Sequence, residues 1–179
     1  HHWDLTDPAH EFSPSFVYNQ IDGGKDAGSK PSDAMALITQ QGDAPLSLFP
    51  YQAGDYLTQP SPTVVSAAAP YRANDFGYLY VHVQGDQAPF NNDIQRLKQW
   101  LAGGDGFVMG IVALPSLQNY QGGVYNPDVP TELQVTPQNQ IGGHALFVIG
   151  YDDNAEGTGI GAFRVINSWG TSWGEQGFD

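Results

Sequence analysis

Two apolar runs near the C-terminal end constrain this chain more than any other feature. "HALFVIGYDD", residues 144–153, and "GAFRVINSWG", residues 161–170, are rich in β-branched and aromatic residues. The polar stretch between them, "NAEGTGI", suits a hairpin or tight connection. An antiparallel pair follows, and it brings the start of the first strand and the end of the second to one sheet edge. His144 and Asn167 stand at those two places.

A histidine at a strand mouth, with Gly142 and Gly143 before it and an apolar strand behind, is well placed as a base. The bland alternative is a partly buried structural histidine. Asn167 favours the functional reading. An amide oxygen that accepts Nδ1–H of His144 fixes the tautomer and leaves Nε2 facing outward, which is the base-and-orienter pair of nucleophilic hydrolases. Trp169 is expected to cover the polar pair and strengthen its hydrogen bond by excluding water. Trp173 is expected to pack beside it, and plain core packing is the competing account of both indoles.

The rest of the chain reads as an α+β fold with two interleaved lobes. Residues 1–75 form a helical first part. In "EFSPSFVYNQI", Ser13 is a candidate N-cap with Pro14 at the first helical position, and Phe16, Val17 and Ile21 make an apolar face. "GSKPSDAMALITQQG" is a second helix, capped by Ser32 or a neighbour, with Met35, Leu37 and Ile38 on its buried side and Gly42 as its stop. Prolines punctuate a loop from Ala44 to Pro62.

Residues 76–179 are strand-rich. "FGYLYVHVQ" reads as a strand. "NNDIQRLKQWLAGG" reads as an amphipathic helix with Ile94, Leu97, Trp100 and Leu101 on one face. "GFVMGIVAL" is apolar throughout, so a strand buried on both faces is expected.

Charge excludes some partners. The 179 residues carry a formal charge of −13, which disfavours nucleic acid and an anionic membrane surface as partners. No apolar run approaches the length of a membrane span. The five histidines show no zinc-ligand spacing. "DDNAEGTG" echoes the opening of a calcium loop through Asp152, Asn154 and Glu156, but its twelfth position is Phe163, so a polar turn is the better reading. No metal and no cofactor is expected.

"GGHALFVIGYDD" followed by "FRVINSWGTSWGEQGF" resembles the His and Asn segments of the papain family of cysteine peptidases. "QQGDAPLSLFPY" is similar to the family's helix end and Pro-Tyr turn, and "SLQNYQGGVYNP" to its Tyr-x-Gly-Gly segment. The resemblance implies a two-lobe fold, with a helical left lobe and an antiparallel, barrel-like right lobe. It implies His144 as general base, Asn167 as its orienter, and Trp169 and Trp173 as supports. Gly28 and Ser29 fall where the family has a substrate-lining glycine pair, although Gly23 and Gly24 compete for that role. Gly110 and Ala145 would line a roomy apolar pocket for the side chain two before the scissile bond. A peptide or protein substrate and a secreted location are implied in the same way.

The family's nucleophile is a cysteine at the start of a central helix, and this chain has no cysteine. The oxyanion-hole glutamine and that helix have no match either. Ser cannot replace the thiol cheaply, because its hydroxyl has no accessible anion at neutral pH, whereas thiols ionise near pH 8.5. The preferred expectation is a fragment, inactive alone. The alternatives are a catalytically dead relative and a peptide- or glycan-binding module.

Overall fold

A computed structural model describes residues 6–79, 90–137, 141–157, 159 and 161–177, without the side chains of residues 90–92 and 156. His1, His2, residues 80–84 of the expected "FGYLYVHVQ" strand, His82 and Asp179 lie outside the described residues. Residues 76–79 carry no strand. The chain divides into two compact units, His1–Tyr78 and Leu79–Asp179.

The first unit is helical. Helix α1 spans Pro14–Ile21, with the Ser13 hydroxyl accepting from the Phe16 backbone N–H at 3.1 Å. Proline at the first position costs nothing there, because its missing N–H would have no partner in the helix. Helix α2 spans Pro31–Gln41, but its N-cap is Lys30, which makes no side-chain capping bond. Ser32 instead lies inside the first turn, because Pro31 takes the first helical position. Gly42 ends α2 at φ 91°, and a Cβ there would stand 1.9 Å from the carbonyl oxygen of Ala68. Helix α3 spans Pro62–Ala68. Phe16, Ala44 and Ala68 form the buried centre, with Leu37, Phe49 and Val64 packed around it.

The second unit holds the sheet. Helix α4 spans Phe90–Ala102 and strand β1 spans Phe107–Ala113. Leu101 of α4 packs on the core, whereas Trp100 is 46 % exposed and donates through Nε1 to Gly106 O at 3.4 Å. Trp100 therefore covers the turn after the helix and is not part of the buried face expected from its spacing. Short helices α5, Pro115–Gln118, and α6, Val129–Val135, follow. Strands β2, Gly142–Asp152, and β3, Ala162–Ile166, complete an open antiparallel sheet in the order β1-β2-β3. These described strands do not close into a barrel.

Register fixes which side chains share a face. His144 stands opposite Ile111, and Ala145 opposite Gly110. Leu146, Val148 and Val165 are buried on one face, against Leu101, Met109 and Phe163. Val108, Val112 and Phe147 are exposed on the other. Strand β1 therefore alternates between half-buried and exposed, not buried on both sides, because side chains of a strand alternate between faces and only one face is covered among the described residues. The β2–β3 register shifts between Val148 and Gly150, the mark of a bulge.

Candidate active site

The β2–β3 hairpin builds the site. His144 lies near the start of β2, and Asn167 follows the last residue of β3. They meet through His144 Nε2 and Asn167 Oδ1, 2.8 Å apart. The Asn167 oxygen also accepts from the Ser168 backbone N–H at 2.7 Å, which fixes which end of the amide faces the ring. An amide oxygen can only accept, so Nε2 is the protonated nitrogen and Nδ1 carries the lone pair. This reverses the assignment expected from sequence, which put the bond on Nδ1. Strand alternation specifies the face a side chain takes, but not which of two ring nitrogens turns toward a neighbour. Among the described residues, Nδ1 has no hydrogen-bond partner.

Asn167 is only 8 % exposed, and its backbone N–H donates to Gly177 O at 3.0 Å. Its Nδ2 is buried with no partner among the described residues. The bond to His144 is thus sheltered from water, where a hydrogen bond is electrostatically stronger.

The two tryptophans complete the wall. Trp169 stacks on the His144 imidazole, with ring centroids 4.5 Å apart and planes inclined by 28°. Trp173 meets Trp169 edge-on at 5.8 Å. Trp173 is 5 % exposed, and its Nε1–H donates to Leu117 O at 2.8 Å. It also packs against Tyr120, at 5.1 Å between ring centroids. The chain turns tightly here, with Gly177 N donating to Trp173 O at 2.7 Å. Glu175 Oε1 accepts from Gly123 N at 3.3 Å and ties this loop to the one before α6.

The other sequence-selected residues fall elsewhere. Gly110 and Ala145 face each other across β1 and β2, on the exposed face of the sheet. Gly28 and Ser29 are exposed in the first unit. Gly28 has φ 82°, and its N–H donates to the Tyr18 hydroxyl at 3.2 Å. That hydroxyl donates to Asp26 at 2.8 Å, and this bond raises the tyrosine pKa above its ordinary value. Gly23 and Gly24 also have positive φ, and Gly24 N donates to Asp22 Oδ1 at 2.8 Å. No group of three or more His, Cys, Asp or Glu side chains placed to hold a metal occurs among the described residues.

Sequence reasoning misses Leu117 and Tyr120, which seat Trp173. A backbone carbonyl leaves no residue-type signature, so only the Tyr-Gln-Gly-Gly stretch pointed to this neighbourhood.

The chain is similar to known proteins in sequence and in fold. The sequence model described as papain family cysteine protease matches residues 19–179. Cathepsin B-like CP3 of Giardia intestinalis is 27% identical over 179 residues, covering 97% of this chain and 53% of that protein. Fruit bromelain of Ananas comosus is 38% identical over 68 residues, which is 38% of this chain and 16% of bromelain. The crystal structure of xylellain, a cysteine protease from Xylella fastidiosa, aligns with a TM-score of 0.64 and 26% identity, over 92% of this chain and 59% of that one. The chain therefore spans about half the length of the cathepsin B-like relative. Its α+β architecture is papain-like.

Proposed function

The chain belongs to the papain family of cysteine proteases, and from that premise we propose that it is the His–Asn portion of a cysteine endopeptidase. The single observation that supports this most is the held imidazole: His144 bonded through Nε2 to buried Asn167, stacked on Trp169, with Nδ1 unbonded among the described residues.

A thiol is what this arrangement needs, and none of the 179 residues is a cysteine. In this reading the nucleophile comes from polypeptide outside this sequence, and the chain is inactive alone. With a thiol in reach, Nδ1 takes its proton and leaves a thiolate beside an imidazolium. The thiolate adds to the scissile carbonyl carbon. Nδ1–H then passes the proton to the leaving amine, and a thioester remains. Water hydrolyses the thioester, Nδ1 removes a proton from that water, and the thiol is regenerated as the carboxylic acid departs. Asn167 keeps the ring in its productive orientation throughout.

The substrate contacts in this reading are carried over from the family resemblance. Gly110 and Ala145 offer a small-residue floor, which suits a bulky apolar side chain two before the scissile bond. Gly28 and Ser29 are assigned to an extended substrate backbone, where glycine permits close approach and the Ser29 side chain narrows it. The substrate is a peptide or protein, and the place of action is extracellular. No helix among the described residues is long and apolar enough to cross a membrane.

The test is to join the chain to its parental upstream segment carrying the cysteine and to assay a fluorogenic peptide. Hydrolysis that a thiol-alkylating reagent abolishes is expected. No hydrolysis, or hydrolysis untouched by alkylation, overturns the reading. Because the chain itself lacks the thiol, a binding module is the second reading. Saturable peptide or glycan binding without hydrolysis in the same thiol-bearing protein would favour it.

A further inference from the structure

Four links run from α6 to the imidazole. The first is a carboxylate clasp. Glu132, in α6, accepts from the Ser116 backbone N–H through Oε1 at 2.7 Å and from the Ser116 hydroxyl through Oε2 at 2.7 Å. Since the serine proton goes to the carboxylate, the Tyr125 hydroxyl donates to Ser116 Oγ, also at 2.7 Å. Both carboxylate oxygens are used, so the clasp fixes the first turn of α5 in position and orientation.

The next residue carries the second link. Leu117 is 1 % exposed, and its carbonyl accepts from Trp173 Nε1. Tyr125, which holds Ser116, also packs on Tyr120, and Tyr120 packs on Trp173. Trp173 then abuts Trp169 edge-on, and Trp169 stacks on His144. Ser116 and Tyr125 are half-buried, Leu117, Tyr120 and Trp173 are buried, and Trp169 is 37 % exposed.

We propose that Glu132 is a positioning residue for the base: by clasping Ser116 it seats Leu117 and Trp173, and through Trp169 it sets the plane of the His144 ring. This rests on His144 being the base of the proposed peptidase. Asn167 restrains the ring at one atom and leaves it free to swing about that bond. The stacked indole supplies the second restraint, and α5 and α6 hold the indole. Catalytic efficiency depends on such angular precision, since a misplacement of about 1 Å costs up to roughly 10²-fold.

The test uses the 179-residue chain, isotope-labelled for NMR. The His144 ring protons lie against the Trp169 indole, whose ring current displaces their resonances. The indole proton of Trp173, a residue 5 % exposed, is bonded to Leu117 O and is expected to exchange slowly with solvent. In Glu132→Ala the His144 signals are expected to move toward their positions in Trp169→Ala, and the Trp173 indole proton to exchange faster. Glu132→Gln keeps one acceptor for the Ser116 N–H and should give a smaller displacement. If Glu132→Ala fails to fold, Ser116→Ala and Tyr125→Phe each delete a single hydroxyl and are read in the same way. A folded variant with His144 and Trp173 signals at their original positions overturns the proposal. The readout needs no turnover, so a failed peptidase assay and a failed positioning role give separate results.

Discussion

The imidazole of His144 is held at Nε2, 2.8 Å from Oδ1 of Asn167, and this bond leaves Nδ1 as the nitrogen able to exchange a proton. In a thiol-bearing version of the protein, His144→Ala should lower kcat by roughly 10²–10⁴-fold, the contribution of a general acid–base. Asn167→Ala should cost less, roughly 10–100-fold, because it removes one hydrogen bond of about 1–3 kcal/mol and not the base itself. Steady-state kinetics on a fluorogenic peptide would check the order, and a larger loss in Asn167→Ala than in His144→Ala would contradict it.

Trp173→Phe keeps an aromatic ring against Tyr120 but deletes Nε1–H. The Leu117 carbonyl, in a residue 1 % exposed, then loses the indole bond and keeps the Tyr120 backbone N–H at 3.3 Å. Losing one buried hydrogen bond from an acceptor that keeps another costs about 0.5–1.5 kcal/mol. Urea denaturation of the chain should show a loss in that range, and an unchanged midpoint would mean that the bond contributes nothing.

How much of this was legible in the sequence depends on how local the interaction is. The hairpin and its His–Asn pairing follow from two apolar runs and a short connection. The ring nitrogen does not, because the last torsion of histidine has two broad wells that no neighbour in sequence selects. Ser13 and Pro14 announce α1 through capping chemistry. Helices α3, α5 and α6 escape, being only 7, 4 and 7 residues long, too short to show a periodic apolar face. The Glu132 clasp escapes with them, since Ser116 lies 16 residues away in a different element.

Gly42 combines φ 91° with a Cβ position 1.9 Å from the Ala68 carbonyl oxygen. Neither the left-handed backbone nor the backbone contact can yield cheaply. Gly42→Ala should therefore destabilise the first unit by more than about 1 kcal/mol. Limited proteolysis that cleaves the variant no faster than the parent would refute this.

Asp43 gives a pH signature. Burial pushes its carboxyl up from 3.8 to about 7, opposed by a hydrogen bond from the Ala44 backbone N–H, and Oδ1 has no partner among the described residues. The folded state therefore holds a proton that the unfolded chain has lost. Stability from this group is complete below about pH 3.8 and is lost as pH rises through about 7. Asp43→Asn should flatten that part of the stability–pH curve. An identical slope in the variant would mean that another group controls it.

The hairpin also dictates an order of assembly. His144 and Asn167 are only 23 positions apart along the chain and are joined by adjacent antiparallel strands. Loop closure over so short a span is inexpensive, and hairpins form in roughly 1–10 μs. In the proposed peptidase, base and orienter thus find each other before any distant partner arrives, and a nucleophile joining later meets a template already in place.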